Sequence, residues 1–98
     1  MSTPYTSYVN ADAPSNAQVG TTSSVIVAAN TRRKGLILGN VSTGTIYLGI
    51  NNTATLNAGI FLAAGTGMFN MDDYLFTTEA ITAISHAAAS IITIQEFN

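Results

Sequence analysis

A chain of 98 residues with a net charge of −2 makes one small domain, near the size at which a single hydrophobic core closes without disulfides or metal. It has no cysteine and opens on no charged segment followed by an apolar one, and no apolar run approaches the roughly 18 residues of a membrane span. It is therefore expected to be made in a cytoplasm, with neither a disulfide framework nor a bilayer anchor. Only 8% of the residues are charged, against about 25% in ordinary soluble domains, while Ser, Thr, Asn and Gln supply about a third; many copies of such a chain can pack closely with little repulsion.

Residues 1–18, "MSTPYTSYVNADAPSNAQ", contain both prolines and no sustained period. They are expected to form an extended N-terminal arm, with a sandwich domain over 19–98. Tyr5, Tyr8 and Val9 give this arm apolar groups that a plain tail lacks, so it is expected to dock on a neighbour, contributing to an interface.

From Val19 the chain reads as short strands between turns. Ser24 to Ala29 is rich in β-branched residues, "NTRR" is a polar connection, and the apolar run "GLILG" spans Gly35 to Gly39. "NVSTG" turns the chain. "TIYLGI" alternates, with Ile46, Leu48 and Ile50 on one face and Thr45, Tyr47 and Gly49 on the other. After the loop "NNTATLNAG" come a strand over Ile60 to Leu62, a hairpin turn at "AAGTG", and strands over Met68 to Met71 and Tyr74 to Thr78. Ala80 to Ser85 and Ile91 to Phe97 close the chain across "HAAAS". Alanine there favours helix, but Ile81, Thr82, Ile84 and Ile91 to Ile94 are β-branched and decide for strands. The spacing predicts an all-β fold, an antiparallel sandwich (jelly-roll-like) or small barrel of about seven or eight short strands. With so few charges to guard its edge strands, the domain is expected to cover some of them with neighbouring subunits.

Catalytic patterns are missing. His86 is the only histidine, which excludes a paired-histidine metal site and makes it a structural group in a turn. Asp72 and Asp73 are adjacent and would face opposite ways on a strand, and five acidic residues in all poorly serve a calcium ion wanting six to eight oxygens. No nucleophile elbow, phosphate loop or dinucleotide fingerprint occurs. The matches "NVS" and "NNT" to the glycosylation acceptor read as polar turns. No enzyme activity, cofactor or metal is expected.

Every positive side chain lies in one triplet, Arg32, Arg33 and Lys34. Three cations cannot neutralise the six to ten phosphates of a nucleic-acid interface, and alternation divides them, with Arg32 and Lys34 on one side and Arg33 on the other. The triplet is expected at a protein interface or at a polar strand end, one arginine pairing with a carboxylate such as Glu96 or Asp73 or with backbone carbonyls.

The succession "AANTRRKGLILGNVSTGTIYLGINNTATLNAGIFLAAGTGMF" followed by "AITAISHAAASIITIQEF" resembles a group of small bacteriophage virion proteins. Those share an Asn-x-x-Arg-Lys start, an apolar strand ending in Asn-x-Ser, an "IY" strand, a "GI-x-L" strand with a glycine turn, and a closing strand ending near Glu. The resemblance covers about Val25 to Phe97, with Arg33, Lys34, Asn40 and Ser42 at the pattern's polar positions. It implies a capsid decoration (cement) protein, often a homotrimer, that stabilises the phage head shell by contacts with the major capsid protein; the few cations and short apolar runs leave no nucleic-acid or membrane partner expected. It also implies an alternative, a carbohydrate- or receptor-contacting module of a fibre or tail appendage, where exposed tyrosines would serve as stacking platforms.

Overall fold

Alternation of inward and outward residues organises the strands. In a computed structural model describing residues 10–71 and 76–98, it produces eight strands and no helix: β1 (Ser15–Val19), β2 (Ser24–Val27), β3 (Gly35–Asn40), β4 (Ile46–Ile50), β5 (Ile60–Leu62), β6 (Met68–Asn70), β7 (Ile81–Ser85) and β8 (Ser90–Phe97). They form two four-stranded sheets in the orders β1-β8-β3-β6 and β2-β7-β4-β5. Every pairing is antiparallel.

The order has a simple logic. β1 pairs with β8, β2 with β7, β3 with β6 and β4 with β5, as in one long hairpin folded in half at the β4–β5 loop. Rolling that ribbon so that β3 also meets β8 and β4 also meets β7 closes it into two sheets, the jelly-roll arrangement. The two inner faces supply the core: Val19, Leu36, Leu38 and Ile92 from one sheet, and Ile46, Leu48, Leu62, Ile81 and Ala83 from the other. β3 shows the mechanism most plainly, since Leu36, Leu38 and Asn40 are buried while Gly35, Ile37 and Gly39, which alternate with them, are half-exposed.

Several expected boundaries move. The division at residue 18 falls inside β1, whose Ser15 to Val19 pair with Ile94 to Ser90 of β8. Further ties extend upstream: Asn10 and Asn98 exchange two backbone hydrogen bonds, at 2.7 and 2.8 Å, and the Asp12 amide donates to the Glu96 carbonyl at 2.9 Å. Residues 10–18 thus belong to the sandwich, and the arm's Tyr5, Tyr8 and Val9 lie outside the described residues. β8 is eight residues long, with room for a partner on each side, and that makes a strand of a segment with little pattern of its own.

The strand expected over Tyr74 to Thr78 lies partly outside the described residues, and its described part, Phe76 to Thr78, is not a strand. The Thr77 and Thr78 carbonyls accept instead from the Arg33 side chain and the Asn30 amide. "AAGTG" is a tight turn, with the Ala63 carbonyl accepting from the Gly67 amide at 2.9 Å. It is not a hairpin, because β5 and β6 belong to opposite sheets. Gly67 is required there: a Cβ would fall 2.3 Å from the Ala63 nitrogen.

Candidate functional site

Register sorts the loops onto two ends. The pairs Gly35 with Phe97 and Ile50 with Ile81 mark one end. Val19 with Ser90, Asn40 with Ile92 and Ile46 with both Ser85 and Leu62 mark the other.

At the first end stand all the charged side chains among the described residues: Asp12, Arg32, Arg33, Lys34, Glu79 and Glu96. A turn before β3, in which the Arg33 amide donates to the Asn30 carbonyl at 3.1 Å, sets Arg33 inward between exposed Arg32 and Lys34, leaving it 2% exposed. Its Nε donates to Glu96 Oε2 at 2.8 Å, Nη1 to the Thr77 and Glu79 carbonyls at 3.0 and 2.9 Å, and Nη2 to the Ala28 carbonyl at 2.9 Å. One guanidinium thereby joins the β2–β3 loop, the segment before β7 and the end of β8. A planar fork of five donors suits this task better than an ammonium. Glu96 is also held by Asn30 Nδ2 at 3.1 Å. This takes Arg33 off the surface, so it is an internal clamp and not an interface residue, because a buried guanidinium with four bonds inside its own chain has little left for a partner. Arg32 and Lys34 remain exposed.

At the second end the four connections are Gly20–Ser23, Val41–Thr45, Ala63–Gly67 and His86–Ala89. They consist of Gly, Ala, Ser, Thr and Val, with His86 the one titratable residue. Their order comes from short polar side chains. Asn40, 1% exposed, donates through Nδ2 to the Gly44 and Leu62 carbonyls at 2.8 and 2.9 Å. Its Oδ1 accepts from the Ser42 amide and hydroxyl at 2.9 and 2.6 Å. This is the Asx geometry that lets a side chain replace a turn's backbone partner, and it accounts for "NVS" as a polar turn. Ser85 and Ser90 share a bond at 2.9 Å across the β7–β8 turn. No buried side-chain nitrogen or oxygen among the described residues lacks a partner.

Edge strands form the sides. β1 and β2 lie first in their sheets and β6 and β5 last. None of the four contains a charge or a proline, the usual guards; β2 has a bulge between Val25 and Val27 instead, and β5 and β6 are three residues long. Val25 on one side and Met68 on the other are 60% and 64% exposed.

A groove crosses the outer face of the second sheet, lined by Thr45, Tyr47, Asn57, Gly59 and Phe61. The β4–β5 loop builds its wall by folding back over the sheet. It does so at Gly49, where a Cβ would lie 2.6 Å from the Asn52 carbonyl and from Thr82 Oγ1, and Thr82 Oγ1 donates to that carbonyl at 2.6 Å. Asn57, at φ 62°, accepts on Oδ1 from the Tyr47 hydroxyl at 3.0 Å and from His86 Nε2 at 3.3 Å. The His86 ring meets Tyr47 edge-on at 5.6 Å. Sequence reasoning placed His86 in a turn and Tyr47 outward, but not their union through Asn57, which depends on how a nine-residue loop (51–59) returns to its sheet.

Among the described residues no three His, Asp or Glu side chains gather as a metal site would require, and no helix is long and apolar enough to cross a membrane. No protein-family model and no curated protein sequence matches the chain.

Proposed function

We propose that this protein is a capsid decoration protein, a non-enzymatic cement that binds a bacteriophage head shell and neighbouring copies of itself, as a homotrimer, through neutral surfaces. The observation that carries the reading is the segregation of charge: the described charges occupy one end, while the other end and all four edge strands have none. Neutral loops of small residues bring backbone close to a partner with little desolvation cost, since no charge has to leave water. The resemblance of about Val25 to Phe97 to small virion proteins supports the same reading.

Val25 and Met68 stand on opposite sides of the sandwich. A contact that joins one side of a copy to the other side of the next is heterologous, and rotation closes it into a ring. A trimer built this way covers both apolar side chains in every copy. The clamp at the charged end then faces away from the shell and holds the end of β8.

The test is to add purified full-length protein to head shells that lack it and measure bound protein by co-sedimentation. Decoration predicts saturation at a copy number set by the shell's repeating lattice, with added resistance of the shell to heat. Saturation at a single vertex or tail site supports the appendage reading instead. Val25→Ser and Met68→Ser each shift the free protein toward monomer in sedimentation; a wild-type monomer at high micromolar concentration contradicts the ring.

A further inference from the structure

We infer that the groove over β4 and β5 is a binding site for a neutral saccharide, with Phe61 and Tyr47 as the stacking surface and Asn57 as the hydroxyl-reading group. The inference is argued from the groove alone and does not rest on shell decoration, although Thr45 and His86 border the neutral end.

Three observations converge. First, Phe61 is 63% exposed, directly opposite Tyr47 in the β4–β5 register and on the same outer face. The only ring contact among the described residues is that of Tyr47 with His86, so the Phe61 face is unoccupied beside a groove of about 450 Å³, within the small-ligand range of roughly 300–1,000 Å³. Sugar rings present a C–H face suited to an aromatic surface and an edge of hydroxyls that need hydrogen-bond partners, so a site for them needs both kinds of group side by side.

Second, the polar side of the groove is already ordered. Oδ1 of Asn57 is committed to Tyr47 and His86, which fixes the amide plane and leaves Nδ2, with two hydrogens, as a donor. The Tyr47 hydroxyl has spent its hydrogen on Asn57 and keeps its lone pairs to accept one from a ligand. Thr45 adds a hydroxyl to the lining. Donor and acceptor thus stand side by side, the demand of adjacent sugar hydroxyls, and pre-ordering them lowers the entropic cost of binding.

Third, the groove has no charged residue among its lining. A phosphate, a sulfated glycan or an acidic peptide would meet no cation there, whereas a neutral pyranose needs none. A purely apolar partner would bury the Asn57 Nδ2 donor without an acceptor.

The experiment presents the full-length protein to immobilised neutral oligosaccharides ending in hexose or N-acetylhexosamine, with sialylated and sulfated ones beside them. Saturable binding to neutral members is expected. Phe61→Ala lowers it by about tenfold to a hundredfold, the loss of one buried aromatic face. Asn57→Gly keeps the positive φ and lowers it by roughly two- to tenfold, the loss of a hydrogen bond. Arg32→Gln, at the far end, leaves it unchanged. Melting curves confirm that each variant is folded. The inference is overturned if the wild type binds no neutral saccharide, if both groove variants bind as well as wild type, or if only anionic glycans bind. It is also overturned if Phe61→Ala dissociates the free oligomer, which would make a second copy the occupant. A Phe61→Ala protein that still saturates shells but has lost saccharide binding separates this site from decoration.

Discussion

The two ends of the sandwich are held by different physics. At the charged end, long segments must be gathered: the chain before β1, the β2–β3 loop, the segment leading into β7 and the C-terminus. One buried Arg33–Glu96 pair joins the last three, its guanidinium reaching three backbone carbonyls, and backbone bonds from Asn10 and Asp12 tie the first to the C-terminal strand. At the neutral end the connections are four or five residues long, and short bonds order them, within a turn at Asn40, Ser85, Ser90 and Gly67 and between turns from Asn40 to Leu62 and from Ser85 to Gly20. A long-range clamp needs a charged, multidentate group and concentrates risk in one residue. Local turns spread the work over many weak bonds and leave a surface free of charge.

The largest effect should come from cutting the strand that connects the ends. Removing residues 1–14 takes away the Asn10 and Asp12 ties to the C-terminus but spares β1. Removing 1–18 takes all of β1 except Val19 and exposes the β8 edge. The longer deletion is expected to cost about 5 kcal/mol or more, comparable to the whole stability of a small domain, and to abolish cooperative melting by circular dichroism. If both truncations melt alike, β1 is dispensable and the boundary belongs at residue 19.

Next is the clamp. Arg33→Met removes the ion pair and leaves the carbonyls of Ala28, Thr77 and Glu79 without their donor, so about 3–5 kcal/mol should be lost in urea unfolding. Asn40→Ala breaks the neutral end at a polar side chain only 1% exposed. With the Leu62 and Gly44 carbonyls and the Ser42 amide losing a partner, about 2 kcal/mol should go. If the ends are independent, the double variant loses the sum to within about 0.5 kcal/mol; a clear departure would show that the ends are coupled through the core.

How far the sequence reveals this depends on which interactions are periodic. β4 and β5 are legible to the residue because "IYLGI" and "IFL" alternate or stand between turn signals. The Arg33–Glu96 pair is legible in kind, since few carboxylates exist to meet an arginine, but which of the three cations turns inward is set by the turn at Asn30, because Arg33 lies off the inward parity of β3. β1 is not, because "SNAQV" offers only Ala17 and Val19 to the core and is a strand by virtue of its neighbour. Nor can turn chemistry tell a hairpin from a corner. Of the seven connections only β4–β5 joins hydrogen-bonded strands, and "AAGTG" and "NVSTG" look locally like hairpin turns while leading the chain to the other sheet. The Tyr47–Asn57–His86 cluster is set by the same non-local folding.

The smallest effect lies in the β7–β8 turn and tests how finely the neutral end is built. Ala89 sits at φ 62°, where a Cβ costs about 1 kcal/mol, and its exposed side chain offers no packing in return. Ala89→Gly removes that strain, and the greater freedom of glycine in the unfolded chain takes back roughly 0.5 kcal/mol. A net gain of about 0.5 kcal/mol is expected, read as a small rise in the urea midpoint with an unchanged slope. The same change bears on assembly, because Ala89 belongs to the end proposed to meet the shell. If shell binding is unaffected while stability rises, alanine there serves neither contact nor fold. If binding weakens as stability rises, the methyl group is part of the contact, and the strain at φ 62° is retained for the sake of that surface.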